Sequence, residues 1–201
     1  MANIGIMGGT FDPIHFGHLR AAEEVLQGFQ LDRVIFVPAG NPPHKAGERI
    51  SSAEHRYLMT VLATMDHPNF EVSRVEIDRP GFSYTLDTLR EFRKRFPGDN
   101  LYFITGADAI LSVHYWNGYR ELFELADFIA VTRPGYSMES LDCLRPLIGE
   151  QCYSRIHVFT VTSLAISSSD IRDRVRKSLS IRYLTPETVR RYIERNGLYK
   201  D

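Results

Sequence analysis

The stretch Asn3-Ile4-Gly5-Ile6-Met7-Gly8-Gly9-Thr10-Phe11-Asp12-Pro13-Ile14-His15-Phe16-Gly17-His18 decides how the chain is read. A short, nearly continuous apolar run gives way to two glycines, a polar loop and a helical pattern over Gly17–Gly28. Unbroken apolarity of this length suits a strand covered on both faces, the habit of a parallel sheet. The alternation recurs, predicting strands at Arg33–Val37, Asn69–Arg74, Leu101–Thr105, Asp127–Val131 and Ile156–Phe159. Helical patterns lie between them at Ala53–Met65, Thr85–Arg95, Tyr119–Leu125 and Met138–Ile148. Strand then helix, repeated, implies an α/β fold: an open parallel sheet with right-handed crossovers and helices on both faces.

After the sixth strand the pattern changes to two helices, Ser168–Lys177 and Pro186–Asn196, joined by Leu179–Thr185. Thr185-Pro186 reads as a cap with a first-turn proline, and Gly197 as a stop. No repeat or Gly/Pro/Ser-rich linker divides the chain. Residues 1–201 are therefore expected to form one domain, a sheet core over 1–165 with a small helical C-terminal piece over 166–201.

Composition narrows the function. With 24 Lys+Arg against 25 Asp+Glu, the formal charge is −1. That balance argues against wrapping nucleic acid or an anionic membrane, yet leaves room for a locally basic nucleotide pocket. Cys143 and Cys152 are too few for a disulfide framework and read as free thiols of a reducing compartment. The first nine residues carry no basic segment of a signal peptide, and no apolar run approaches the ~18 residues of a membrane span. The expectation is a cytoplasmic protein.

Ligands of open parallel sheets bind beyond the carboxyl ends of the strands. There, Gly8 and Gly9 let the backbone approach a ligand, and the following helix offers N–H groups and a positive dipole end. The loop is neither G-x-G-x-x-G nor a P-loop. His15 and His18 share one helical face, either as ligands or as satisfied helix-start side chains; no Cys or Glu nearby completes a zinc set. A second loop, Ile166-Ser167-Ser168-Ser169-Asp170-Ile171-Arg172, reads either as a capping box or as an anion cradle of hydroxyls, helix N–H groups and an arginine. Two such loops at the ends of different strands suggest a polyphosphate held between them.

Together, Gly-Gly-Thr-Phe-Asp-Pro-x-His-x-Gly-His and the downstream Ile-Ser-Ser-Ser-x-Ile-Arg resemble the H-x-G-H nucleotidyltransferases, and among them the bacterial nicotinate-nucleotide adenylyltransferases. The resemblance runs from Gly8 to Tyr199. It takes in Asn41-Pro42-Pro43-His44-Lys45, Ser83-Tyr84-Thr85-Leu86-Asp87-Thr88-Leu89, Gly106-Ala107-Asp108, Tyr115-Trp116, Thr132-Arg133-Pro134-Gly135 and Tyr183-Leu184-Thr185-Pro186. One small departure is Ser169, where that family has threonine at least as often; a hydroxyl survives.

The resemblance implies a Rossmann-like sheet and transfer of the adenylyl group of ATP to nicotinate mononucleotide, with Mg²⁺ carried mainly by ATP oxygens and water and no protein metal ligand. It implies ATP contacts from Gly8, Gly9, Thr10, Phe11, His15, His18, Ser167, Ser168 and Arg172, with His15, His18 and Arg172 stabilising the transferring phosphates. For the mononucleotide it implies Lys45 on the phosphate, Asp108 on the ribose, Trp116 stacked on the pyridine, Thr85 on the carboxylate and, less directly, Arg133. Each also has an ordinary structural reading: a solvated lysine, helix caps at Asp108 and Thr85, a core tryptophan. Asp12 and Asp87 are read as structural. A phosphopantetheine- or cytidine-type transferase fits Tyr84-Thr85 and Trp116 less well. A nicotinamide-dependent oxidoreductase lacks its G-x-G-x-x-G, and a non-catalytic sensor would not need both histidines and the arginine. Small-molecule substrates are expected, with no nucleic acid or membrane partner; the oligomeric state is not legible.

Overall fold

A computed structural model describes residues 1–45, 47, 49–132 and 139–200. Six strands, β1 (Asn3–Gly9), β2 (Arg33–Pro38), β3 (Phe70–Val72), β4 (Asn100–Gly106), β5 (Asp127–Thr132) and β6 (Ile156–Thr160), form one sheet. Every pairing is parallel, in the order β3-β2-β1-β4-β5-β6. Between them run α1 (Phe16–Gly28), α2 (Ala53–Thr64), α3 (Thr85–Arg95), α4 (Ala107–Ile110), α5 (Tyr119–Leu125), α6 (Glu139–Asp142), α7 (Arg145–Ile148) and α8 (Glu150–Tyr153). The chain finishes with α9 (Ser168–Arg176) and α10 (Glu187–Arg195).

The unbroken apolarity of the strands has its expected cause. In β2, Ile35 and Val37 join a core with α3 and α5, while Val34 and Phe36 join another with α1, α2, α9 and α10. Both faces are covered, and the C-terminal helices extend the second layer through Ile171, Val189 and Ile193. Among the described residues no helix is long and apolar enough to cross a membrane. Cys152 is a free thiol.

The order 3-2-1-4-5-6 reverses direction between β1 and β4, and a crevice opens there. The β1–β4 ladder ends at Met7↔Ile104, whereas β1 continues beside β2 to Gly9↔Pro38. Gly8 and Thr105 thus stand where the two strands part.

Four local readings change. The helix expected over Met138–Ile148 is divided into α6 and α7, with Pro146 in the first turn of α7. A continuous helix would set the proline ring against the carbonyl four residues earlier. The third strand shrinks to Phe70–Val72: at one end the Asn69 N–H bonds to His67 Nδ1 at 3.2 Å, and at the other the Arg74 carbonyl accepts the Ile77 and Asp78 N–H groups of a turn. A helical turn, α4, follows β4 directly with Gly106 at its cap, so Asp108 stands inside the first turn and not at the cap. Thr185 does not cap α10: Pro186 holds that position, and the Thr185 hydroxyl donates instead to the Ile14 carbonyl at 2.8 Å.

Candidate active site

The loop after β1 is held from outside through its own carbonyls. Arg56 donates to Thr10 O at 2.9 Å, Arg172 to Asp12 O at 2.7 Å, Ser168 to Pro13 O at 2.8 Å and Thr185 to Ile14 O. The Phe16 N–H closes the set by donating to Leu184 O at 3.1 Å. The Asp12 carboxylate, 2% exposed, accepts from the Tyr199 hydroxyl at 2.7 Å and the Ser51 N–H at 3.2 Å. Residues from α2, α9 and the C-terminal segment therefore fix the loop. Each bond contributes about 1 kcal/mol net, and more where the donor is a guanidinium. The result is a preorganised loop, the condition for electrostatic work on a ligand.

Arg56 was not singled out from the sequence. It is fully buried and spends its guanidinium on three backbone carbonyls, Thr10, Gly40 and Ser51, all within 3.0 Å. The signal was present: Arg56 falls on the same face of α2 as Met59, Thr60 and Ala63, where an apolar residue is expected.

The two histidines stack, ring centroids 3.8 Å apart, with His15 6% exposed. The His15 N–H donates to His18 Nδ1 at 3.3 Å, which leaves Nε2–H as the donor of the neutral His18 ring. Among the described residues His15 Nδ1 has no hydrogen-bond partner, although it is buried. Burial lowers the His15 pKa to about 4; burial and then the His15 charge lower that of His18 to about 3. Both rings are neutral at pH 7. Gly17 suits this packing: a Cβ there would sit 3.0 Å from His15 Nδ1 and Cε1, a contact the ring would have to yield to. Phe11, at φ +50° and 3% exposed, meets the edge of the His18 ring at 5.1 Å.

Two cavities open at the crevice, one on each side of β1. The first, about 530 Å³, is lined by Gly8, His15, His18, Thr105, Asp108 and the α9 start at Ser167 and Ser168. The second, about 580 Å³, is lined by Gly8, Gly9, Thr10, Tyr84, Thr85, Thr105 and Trp116. Gly8 and Thr105 wall both, so ligands in the two would meet there. Both volumes suit small-molecule sites.

The sequence-derived residues divide between them. Gly8, His15, His18, Ser167 and Ser168 gather in the first cavity; Thr85 and Trp116 gather in the second. Asp108, read with the mononucleotide group, lines the histidine cavity instead. Gly9 and Thr10 line the second cavity, and Phe11 lines neither. Lys45 ends a short 3₁₀ turn, Pro43–Lys45, whose Pro43 lines the second cavity while Lys45 does not. Arg172 faces a third, smaller cavity behind the loop. Arg133 lies outside the described residues.

Ser167 caps α9, its Oγ accepting the Asp170 N–H at 3.1 Å while the Asp170 carboxylate accepts from Arg174, so the cap is present without the reciprocal half of a capping box, and Ser167 also lines the cavity wall. Thr85 is the first residue of α3, with Tyr84 at the cap. Trp116 packs edge-on against Phe103, centroids 6.3 Å apart, and still borders the cavity, so the core reading also describes part of its surface. Glu76 was missed. It is 8% exposed, lines the second cavity and accepts from the Thr88 hydroxyl at 2.6 Å; burial raises its pKa. A single acidic residue between a short strand and an aromatic loop gave no periodic signal.

Comparison with known proteins follows the same lines. The cytidylyltransferase-like family matches residues 6–174. A Thermoanaerobacter sp. (strain X514) protein named "Probable nicotinate-nucleotide adenylyltransferase" is 54% identical over 202 residues, covering 98% of this chain and 94% of its own length. A Moorella thermoacetica protein of the same name is also 54% identical, covering 98% of this chain and 91% of its own. Among solved structures, the Plasmodium falciparum nicotinic acid mononucleotide adenylyltransferase complexed with NaAD aligns over 99% of this chain and 98% of its own. The TM-score is 0.77 and the identity 20%, a likeness of fold.

Proposed function

The chain belongs to the cytidylyltransferase-like family and, within it, to the nicotinate-nucleotide adenylyltransferases; from that premise we infer that it moves the adenylyl group of ATP onto nicotinate mononucleotide, giving nicotinate adenine dinucleotide and pyrophosphate for NAD biosynthesis. The observation that carries the reading at this chain's own residues is the pair of cavities sharing Gly8 and Thr105. ATP occupies the cavity of His15, His18, Ser167 and Ser168, and the mononucleotide occupies that of Thr85 and Trp116. The α-phosphorus and the attacking phosphate oxygen then meet at the shared wall.

The phosphate of the mononucleotide is already a competent nucleophile, so the reaction needs no general base and no covalent intermediate. Its oxygen forms a bond to the α-phosphorus as the bridging bond to the β-phosphate breaks, and pyrophosphate leaves with that electron pair. The protein contributes alignment and charge stabilisation. Neutral His18 offers Nε2–H to the transferring phosphoryl, and the buried His15 ring supports it. The α9 N-terminus and Arg172 act on the leaving side, Arg172 retaining donors beyond the one spent on Asp12 O.

Asp108 serves a ribose from the histidine side, and Thr85 donates to the nicotinate carboxylate. A carboxylate only accepts, so a donor at Thr85 favours the acid over the amide. Trp116 gives the pyridine a face to stack on. Lys45 and Arg133 are assigned to phosphate charge. Mg²⁺ bound with the nucleotide would supply neutralisation of phosphate charge. Asp108 is the one carboxylate among the described residues lining that cavity, and no cluster of three metal-binding side chains occurs among the described residues, a donor set that suits an ion carried in by the nucleotide. Soluble nucleotides as both substrates accord with a cytoplasmic enzyme.

The test is pyrophosphate release from Mg²⁺-ATP with nicotinate mononucleotide, nicotinamide mononucleotide or phosphopantetheine as acceptor. Fast turnover with the first and much slower with the second is expected. Equal rates for the first two would remove the Thr85 argument, and release with phosphopantetheine alone would overturn the reading.

A further inference from the structure

Asp12 and Glu76 are the two buried carboxylic acids among the described residues. Asp12 anchors the loop of the first cavity, whereas Glu76 stands in the wall of the second, where the transfer gives it no part. We propose that Glu76 is a positioning residue for the mononucleotide: as a carboxylate it ties the Gly40 and Asn41 backbone to Ser83 and Thr88, and so fixes the wall that receives the pyridine end. The proposal rests on the adenylyltransferase reading for its ligand.

The directions of the hydrogen bonds assign the charge. The Ser83 hydroxyl accepts the Gly40 N–H at 3.0 Å and the Asn41 N–H at 3.1 Å, so its own proton is left for Glu76, to which it bonds. The Thr88 hydroxyl accepts from Arg79 at 3.3 Å and donates to Glu76 Oε1 at 2.6 Å, closer than its 3.3 Å approach to the Tyr84 carbonyl. Two hydroxyl protons offered to one group suit a carboxylate, which only accepts, and 2.6 Å is the length of a charge-assisted O–H···O bond. Burial works against this charge; the two hydroxyls and the nearby Arg79 and Arg56 support it.

These bonds reach both sides of the second cavity. Ala39, Pro42 and Pro43 line it from the turn after β2, and Ser83, Tyr84 and Thr85 line it from the approach to α3. Gly40 is held from two directions: Ser83 takes its N–H, and buried Arg56 takes its carbonyl at 3.0 Å. The Ser83 N–H adds a bond to the Asn41 carbonyl at 2.9 Å. A Cβ on Gly40 would lie 2.2 Å from the Glu76 carbonyl oxygen, so the two backbones pass in direct contact. Thr88 stands three residues beyond Thr85 on α3, and its bond to Glu76 tethers the first turn, where Thr85 borders the ligand space. Thr88 itself is buried and lines neither cavity, so it acts on a ligand only through what it holds. None of Gly40, Asn41, Glu76, Ser83 and Thr88 lines the histidine cavity.

The experiment is calorimetric titration of the whole protein with nicotinate mononucleotide and, separately, with a non-hydrolysable ATP analogue, alongside the Tm of each variant. Glu76→Gln keeps the shape, removes the charge and turns N–H groups toward hydroxyls that already point their own protons there. It should weaken the mononucleotide about ten-fold or more, as for loss of one charge-assisted bond, and leave the ATP analogue within about two-fold. Thr88→Val removes one of the two donors and should also weaken the mononucleotide selectively; Thr88→Ser, which keeps the hydroxyl, should restore it. If Glu76→Gln does not fold, the two Thr88 variants decide. A lowered Tm with both ligands weakened alike would make Glu76 a stabilising residue only and overturn the role. Wild-type mononucleotide affinity in folded Glu76→Gln and Thr88→Val would overturn it too, with the adenylyltransferase reading intact. A wild-type protein that binds the ATP analogue but no nicotinate mononucleotide would remove that reading, and this role with it.

Discussion

Replacing Thr185 by valine removes one hydroxyl and little else, and it tests whether the C-terminal segment holds the histidine loop. The side chain is 2% exposed and donates to the Ile14 carbonyl, next to His15; Leu184, its neighbour, accepts from the Phe16 N–H on the other side. Valine keeps the shape but leaves a carbonyl without its donor, in a place where the buried Ile14 side chain leaves little room for water. An unsatisfied buried acceptor costs about 1–3 kcal/mol. At about 2 kcal/mol, a chain of this size should lose roughly 4–8 °C in Tm. His15 gains freedom at the same time, and a small misplacement of a phosphate donor should lower kcat by about ten-fold or more while Trp116-side binding persists. Thermal unfolding with and without ligand, and kcat against the mononucleotide KM, would be read together. An unchanged Tm with unchanged kcat would show that the loop does not depend on this strut.

Trp116→Ala should weaken nicotinate mononucleotide by about 1–3 kcal/mol on the scale of base–aromatic stacking and leave ATP affinity nearly unchanged; equal losses for both would make it a core residue. Stability should depend on acid through the histidines. Their folded pKa values of about 4 and 3 lie below the unfolded value of 6.5, so the contribution is full above pH 6.5 and is lost as pH falls toward 4. Glu76 acts with the opposite sign, its raised pKa favouring the fold on the acid side. Urea midpoints from pH 7.5 to 4.5 should therefore fall less steeply in His15→Asn than in the wild type, and parallel slopes would contradict the burial of that ring. Gly17→Ala should disturb the His15 ring it approaches, lowering kcat more than it lowers Tm.

Much of this architecture is legible in the sequence because strand burial is written as local apolarity. The six strands, the parallel order of strand and helix, and the two phosphate-type loops all follow from short-range pattern. What fails is what depends on distant partners. Arg56 sits in a helix that periodicity finds, yet its role exists only because Thr10, Gly40 and Ser51 converge on it from separate loops. Thr185 has the residue type and position of a cap, and the carbonyl of Ile14, 171 positions away, claims its hydroxyl. Ser168 and Arg172 have the chemistry of phosphate ligands, but each also carries a loop carbonyl. Pro146 is the local mark of the break inside the helix expected over Met138–Ile148. The division of the site into two cavities follows from the parting of β1 and β4, which no local pattern encodes.

The central claim is that the neutral histidines lining the first cavity stabilise charge on the phosphoryl group as it transfers. His18→Ala, assayed by pyrophosphate release at saturating Mg²⁺-ATP and nicotinate mononucleotide, tests it most directly. The account predicts a kcat lower by ~10²–10³-fold, as for loss of an oxyanion donor, in a folded variant that still binds the mononucleotide. A folded variant with near-normal turnover would contradict it.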